Sequence, residues 1–242
     1  MRSGFPLTPI SWSILLLILS TAGSAQDIFI TPIPGAPFRG VIQVRRSFVQ
    51  PDGSTGMLKT MREVGRDSRG RIHNEMREYS PLSNTVTPAV VRILLYDPQS
   101  RMSTTLYAKQ HTFVTRTVNR PPSSLPPVLF AASPTGDNVP ANQFTKKEDL
   151  GVRNIEGFAA HGVRQTQTIP AENSGIGQEV VVTDDYWYSD DLRMNLMIQH
   201  SDPRTGAAIL TVTQIDRNEP APAFFEIPPD YKQAGVERAS SR

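Results

Sequence analysis

Cysteine is absent from the 242-residue sequence, which excludes a disulfide framework, a thiol nucleophile and a thiolate metal site. Histidine is scarce. His73, His111, His161 and His200 stand alone, and no two have the i,i+2 or i,i+4 spacing that aims two imidazoles at one metal. Adjacent aspartates occur at Asp184-Asp185 and Asp190-Asp191. Neighbouring strand residues point to opposite faces, so the first pair cannot act together across a substrate. The second lies in turn chemistry, where aspartate serves the backbone. No G-x-S-x-G, Walker glycine loop or H-E-x-x-H is present. These shortages leave no candidate catalytic residue, metal ligand or cofactor site, and an enzyme ranks last among the functional readings.

An excess of one charge is also lacking. Lys and Arg number 25 against 23 Asp and Glu, a formal net of +2. That is too near neutral for a general nucleic-acid binder. The distribution is less even: from Gln26 to Phe130 there are 14 basic residues and 7 acidic ones, and from Ala131 onward 10 and 16. Two readings stay open. The halves are neighbours in one sheet and neutralise each other, or the first half offers a basic face to an anionic partner such as lipid head groups or lipopolysaccharide.

Long apolar runs are confined to the N-terminus. Arg2 precedes the unbroken Ile14-Leu15-Leu16-Leu17-Ile18-Leu19, and small residues follow from Ser20 to Ala25. Gly23 and Ala25 occupy the −3 and −1 positions of a cut before Gln26. Pro6, Pro9, Ser11 and Ser13 leave the run short of the roughly 20 apolar residues a spanning helix needs. Residues 1–25 therefore read as a signal peptide cleaved between Ala25 and Gln26. The mature chain is expected to be periplasmic or extracellular, with no membrane span and no cysteine for a lipid anchor.

Helix signals are scarce too. Between residues 119 and 142 stand Pro121, Pro122, Pro126, Pro127, Pro134 and Pro140, which read as a long connector inside a single antiparallel domain spanning 26–242. What the sequence does contain is short β-branched and aromatic runs between strong turns. Gly40–Gln50 alternates, with Ile42, Val44 and Phe48 on one side. Pro51-Asp52-Gly53 and Asp67-Ser68-Arg69-Gly70 reverse the chain around strands at Met57–Arg66 and Arg71–Tyr79. Val90–Tyr96 is apolar on both sides and reads as central. Met102–Val118 reads as one long strand. Val180–Tyr188, Leu192–Gln199 and Ala207–Ile215 follow, the middle one alternating Leu192, Met194, Leu196 and Ile198 with more polar residues. Short turns between consecutive strands favour an antiparallel meander.

Leu150-Gly151-Val152-Arg153-Asn154-Ile155-Glu156-Gly157, then Gly162-Val163, then Tyr186-Trp187-Tyr188-Ser189 and Leu192 form an ordered series, completed by Pro222-Ala223-Phe224-Phe225 and Glu226-Ile227-Pro228-Pro229-Asp230-Tyr231. Over roughly 148–231 this series resembles uncharacterised exported bacterial proteins similar to the outer-membrane lipoprotein carriers, the LolA/LolB-like superfamily. The resemblance implies a mainly β fold, a strongly curved antiparallel sheet forming a half-barrel or open barrel, whose concave face holds acyl chains or serves as a sensory surface. It departs from the carriers ahead of the first strand. Where they have a helix, Pro32, Pro34 and Pro37 lead straight into the sheet.

The expected function is non-enzymatic: a cell-envelope protein binding an apolar or amphipathic ligand, with lipid, lipopeptide or another envelope protein as partner. A structural or sensory interaction module is the alternative. The expected ligand face comprises Ile42, Val44, Phe48, Leu192, Met194, Leu196 and Ile198, with Trp187 beside the ligand.

Overall fold

A computed structural model describes residues 30–50, 52–79, 88–118 and 144–234. The expected signal segment with its Ala25–Gln26 cut, and the proline-rich connector, lie outside the described residues.

Twelve strands form one sheet. They are β1 (Phe38–Val49), β2 (Thr55–Arg66), β3 (Ile72–Glu78), β4 (Ala89–Asp97), β5 (Met102–Tyr107), β6 (Thr112–Thr117), β7 (Thr145–Ile155), β8 (Phe158–Ile169), β9 (Val180–Ser189), β10 (Met194–Asp202), β11 (Gly206–Asp216) and β12 (Lys232–Gln233). Their spatial order is β12-β6-β5-β4-β3-β2-β1-β11-β10-β9-β8-β7. All neighbours are antiparallel except β12, which runs parallel to β6. The sheet is open, with β12 and β7 at its edges, and helix among the described residues is limited to 3-10 turns at Ala171–Asn173 and Pro222–Phe225. This is the antiparallel meander that the turns favour, and the mainly β, open curved sheet that the resemblance implies.

The chain starts at the middle of the sheet, walks outward along β1–β6, restarts at the far edge with β7 and returns to the middle at β11. Both halves thus share one sheet. Two strand expectations need correction. Met102–Val118 is not one strand, because a turn at 108–111 folds β6 back on β5 with His111 at φ 49°. Nor is β4 central; it lies nearer the β6 edge and leaves Val91 and Leu94 exposed. β7 and β8 join at Glu156-Gly157, whose φ values of 53° and 87° suit a tight hairpin.

Register and alternation assign each residue of the regular strands to one of two faces. Phe38, Ile42 and Val44 share a face with Val64, Ile72 and Tyr96 on one side and with Val212, Leu210, Ile198 and Tyr186 on the other. This is the Ile42 face. Arg39, Glu63, His73 and Leu95, with Thr211, Met197, Trp187 and Gly162, occupy the opposite Trp187 face. At the middle strands the Ile42 face is a closed core: Phe38, Ile42, Val64, Ile198, Leu210 and Val212 are at most 2% exposed. Each such side chain contributes about 1.5–3 kcal/mol by leaving water.

A buried arginine fastens this core. Arg66, at 0% exposure, donates from Nε to the Ala36 carbonyl (2.7 Å), from Nη1 to Thr31 (2.8 Å) and from Nη2 to Leu192 (2.8 Å). It thereby ties the segment ahead of β1 and the turn ahead of β10 to the end of β2. Burial pulls its guanidinium down to about 10, which leaves it charged at neutral pH.

After β11 the chain crosses the Trp187 face to reach β6. Phe224 stacks on His73 at 3.8 Å between ring centroids, and the His73 Nδ1–H donates to the Phe224 carbonyl (2.6 Å). Further along, Asp230 meets His111 (2.6 Å), and the Lys232 N–H donates to the His111 carbonyl (2.9 Å). Burial pushes His73 down to about 4, so the folded protein holds it neutral where an unfolded histidine takes up a proton. The unfolded state then binds more protons between pH 6.5 and 4, and stability falls as pH drops through that window. Urea titrations at pH 7, 5 and 4 should show a loss approaching about 3 kcal/mol. A His73→Gln variant should lose this part of the pH dependence; an unchanged slope would locate the effect elsewhere.

Candidate functional site

On β2–β5 the Ile42 face changes character. Register places Arg62, Met76, Arg92 and Tyr107 in one row across four strands, continuing the row of Ile42. The next row is Val64, Asn74, Leu94 and Thr105. Two interstrand spacings put the Arg62 and Arg92 backbones about 10 Å apart, with Met76 between them. Arg62, Asn74, Met76, Arg92, Leu94 and Thr105 enclose a groove of about 320 Å³, within the lower range of small-ligand sites.

The electrostatics follow from which side each acid takes. Glu63 and Glu75 point to the Trp187 face, where Arg39 pairs with Glu63 and Arg77 bridges Glu75 (2.5 Å) and Glu63 (3.5 Å). The acid that β1–β6 place on the Ile42 face is Glu78, opposite Thr60 and beyond the groove. Two guanidinium groups and two apolar side chains line this one open concavity, a combination suited to an anion attached to an apolar group. A smaller cavity of about 190 Å³ lies under the C-terminal crossing, lined by Ile72, Leu95, Met102, Phe225 and Ile227 among others.

The residues expected to form the ligand face are only partly brought together. Ile42, Val44 and Phe48 do share a face, but Ile42 is buried, Val44 is half-buried and Phe48 is 42% exposed. Leu192 precedes β10 and is buried in the turn, where its carbonyl receives Arg66. A register shift between Asn195 and Met197 breaks the alternation of β10, so Met194 and Ile198 do not continue one face. Leu196 sits at this bulge with 0% exposure. Trp187 lies on the opposite face from Ile198, with the Arg153 guanidinium 3.7 Å from its ring centre. A Cβ on Gly162 would collide with that ring, so glycine makes the indole's seat on β8. Ile42, Trp187, Leu192, Met194, Leu196 and Ile198 are buried in closed packing, Phe48 stands outside it, and the open groove lies on the strands beside them.

The groove residues carry no sequence motif. Their signal is the basic excess of the first half, but assembling them needs the register of four strands. The remaining polar groups are dispersed. Asp184 and Asp185 do point apart, the first to His200 (2.7 Å) and the second bidentately to Arg164 (2.7 and 2.8 Å). The hydrogen bond to Asp184 raises His200 above the usual histidine range. Among the described residues no three metal-ligating side chains converge, and no helix is long and apolar enough to cross a membrane.

No family model matches the chain, and no curated protein matches it either. Among solved structures it is similar to an uncharacterised conserved protein from Thermus thermophilus, with 8% identity, a TM-score of 0.42, and 82% of this chain and 90% of that one covered. The Pseudomonas aeruginosa MucA/MucB complex matches with 11% identity and a TM-score of 0.42 over 80% of this chain and 56% of that one. A LolA superfamily protein from Nitrosomonas europaea matches with 11% identity and a TM-score of 0.32 over 80% and 91%. The likeness is one of fold. It adds nothing to what the strand order shows, and the chain spans little more than half of the MucB chain.

Proposed function

We propose that the protein is a non-catalytic cell-envelope binding protein whose groove on β2–β5 holds an amphipathic ligand with an anionic head. The observation that carries this reading is the pairing of Arg62 and Arg92 with Met76 and Leu94 in one open concavity. The arginines supply charge-assisted hydrogen bonds to a carboxylate or phosphate, and Asn74 and Thr105 add neutral ones. Met76 and Leu94 cover the first carbons of an acyl chain, with methionine adapting to different chain shapes. The closed core beside it, which begins at Ile42 in the same row as Arg62, gives this site a rigid flank.

The test is equilibrium binding of a fluorescent fatty acid, with its uncharged methyl ester as comparison. The wild type should prefer the acid. An Arg62→Ala/Arg92→Ala variant should bind the acid about tenfold or more weakly, since a hydrogen bond to a charged group is worth about 1.5–3 kcal/mol. Leu94→Glu should weaken both probes. Absence of wild-type binding, or binding indifferent to all three substitutions, would sink the reading and favour a plain interaction module.

A further inference from the structure

The β1–β2 hairpin runs past both neighbours. Its two strands stay paired out to Val49 and Thr55. β11 follows β1 only to Arg46, and β3 follows β2 only to Thr60. The last tie to the body is at Ser47, which exchanges hydrogen bonds with Ala207 (3.0 and 3.3 Å). Gly206, at φ 111°, turns there against the Ser47 carbonyl, leaving no room for a side chain. Beyond that level a two-stranded ribbon stands alone among the described residues.

Its side chains are the wrong kind for water. Phe48 and Leu58, on the Ile42 face, are 42% and 53% exposed; Val49 and Met57, on the other, are 52% and 65% exposed. Core packing explains none of them. Phe48 lies over Gly56, where a Cβ would overlap its ring, so the aromatic is held in place. Behind them sit Arg45, Arg46 and Lys59. Arg45 and Lys59 are direct cross-strand partners, an arrangement that costs stability unless an anion sits nearby. Between Ile42 and Arg62 the one acid is Asp52, and its carboxylate is occupied by the Ser54 N–H (2.9 Å) and hydroxyl (2.7 Å).

We propose that this hairpin end inserts shallowly into an anionic lipid surface. Apolar side chains on both faces suit a medium that surrounds the ribbon, whereas a protein groove would cover one side. The cationic collar lies at the level of the head groups when the tip enters the acyl boundary by about 5–10 Å. Salt screens the attraction of the three basic residues to such a surface.

The test uses the processed chain beginning at Gln26 and two kinds of vesicle, pure phosphatidylcholine and phosphatidylcholine containing phosphatidylglycerol. The chain should sediment with the second kind and be released by salt. Met57→Ser/Leu58→Ser should reduce that binding on the order of tenfold while leaving the urea midpoint unchanged, as these side chains touch no core. Arg45→Glu/Lys59→Glu should abolish the preference for phosphatidylglycerol. Trp introduced as Met57→Trp should shift its emission to the blue on anionic vesicles and be quenched by brominated acyl chains. The Arg62→Ala/Arg92→Ala variant should bind vesicles like the wild type, which separates this surface from the groove. Failure of the wild type to bind anionic vesicles, undiminished binding by the serine variant, or an unmoved Trp signal would each overturn the proposal.

Discussion

Replacing Arg66 with leucine is expected to lower the unfolding free energy by about 3–5 kcal/mol, measured by urea denaturation at neutral pH. The side chain is fully buried and its three donors end on the carbonyls of Thr31, Ala36 and Leu192. Leucine would fill part of the volume and satisfy none of them, and each orphaned buried acceptor costs about 1–3 kcal/mol. Arg66→Lys separates charge from geometry. An ammonium group keeps the charge but lacks the planar fork that reaches three divergent carbonyls, so its loss should be intermediate. For a protein whose total stability is about 5–15 kcal/mol, the leucine change removes a large fraction. A loss below about 1 kcal/mol for leucine would mean that the segment ahead of β1 is held chiefly by Ile30 and Phe38 instead.

Leu196→Asp is expected to unfold the protein or cost several kcal/mol, because it places an unpaired carboxylate at a position with no exposure. The site allows little relief. Leu196 sits at the β10 bulge, within a core that includes Tyr186, Leu192, Met194 and Ile198. Loss of the near-ultraviolet signal of Trp187 together with a lowered melting temperature would report it. Full retention of both would show that the core at the bulge is open to water. This variant and the groove variants report separately: Leu196→Asp should remove probe binding only by removing the fold, whereas Arg62→Ala/Arg92→Ala should weaken it in a protein that still folds.

Much of the architecture was legible because turns and alternation are local. Asp52-Gly53 and Asp67–Gly70 sit where the chain reverses, and Ile42, Val44 and Phe48 do share a face. The turn between β5 and β6 was hidden because Ala108-Lys109-Gln110-His111 has no glycine or proline, and His111 itself takes the positive φ. The β10 face misled because one inserted residue shifts every later side chain, and nothing in Asn195-Leu196-Met197 marks a bulge. Arg66 was unreadable as a core residue. Beside Asp67 at a strand end, an arginine looks solvated until its carbonyl partners, up to 126 positions away, are in place. The groove needed most: six residues from four strands acquire meaning only when neighbouring registers align Arg62 with Arg92.

The strand order also sets the timing of assembly. β1 to β6 pair with one another only as sequence neighbours, as do β7 to β11, so each run can form as soon as it is made. The seam that unites them joins Val44 to Leu210, far apart along the chain. Until β11 arrives, β1 presents an unpaired edge lined by Ile42 and Val44, and joining so distant a pair is slow. A chain made from its N-terminus carries that open edge until residues 206–216 are in place. The middle of the sheet therefore closes only after both runs of strands can have formed.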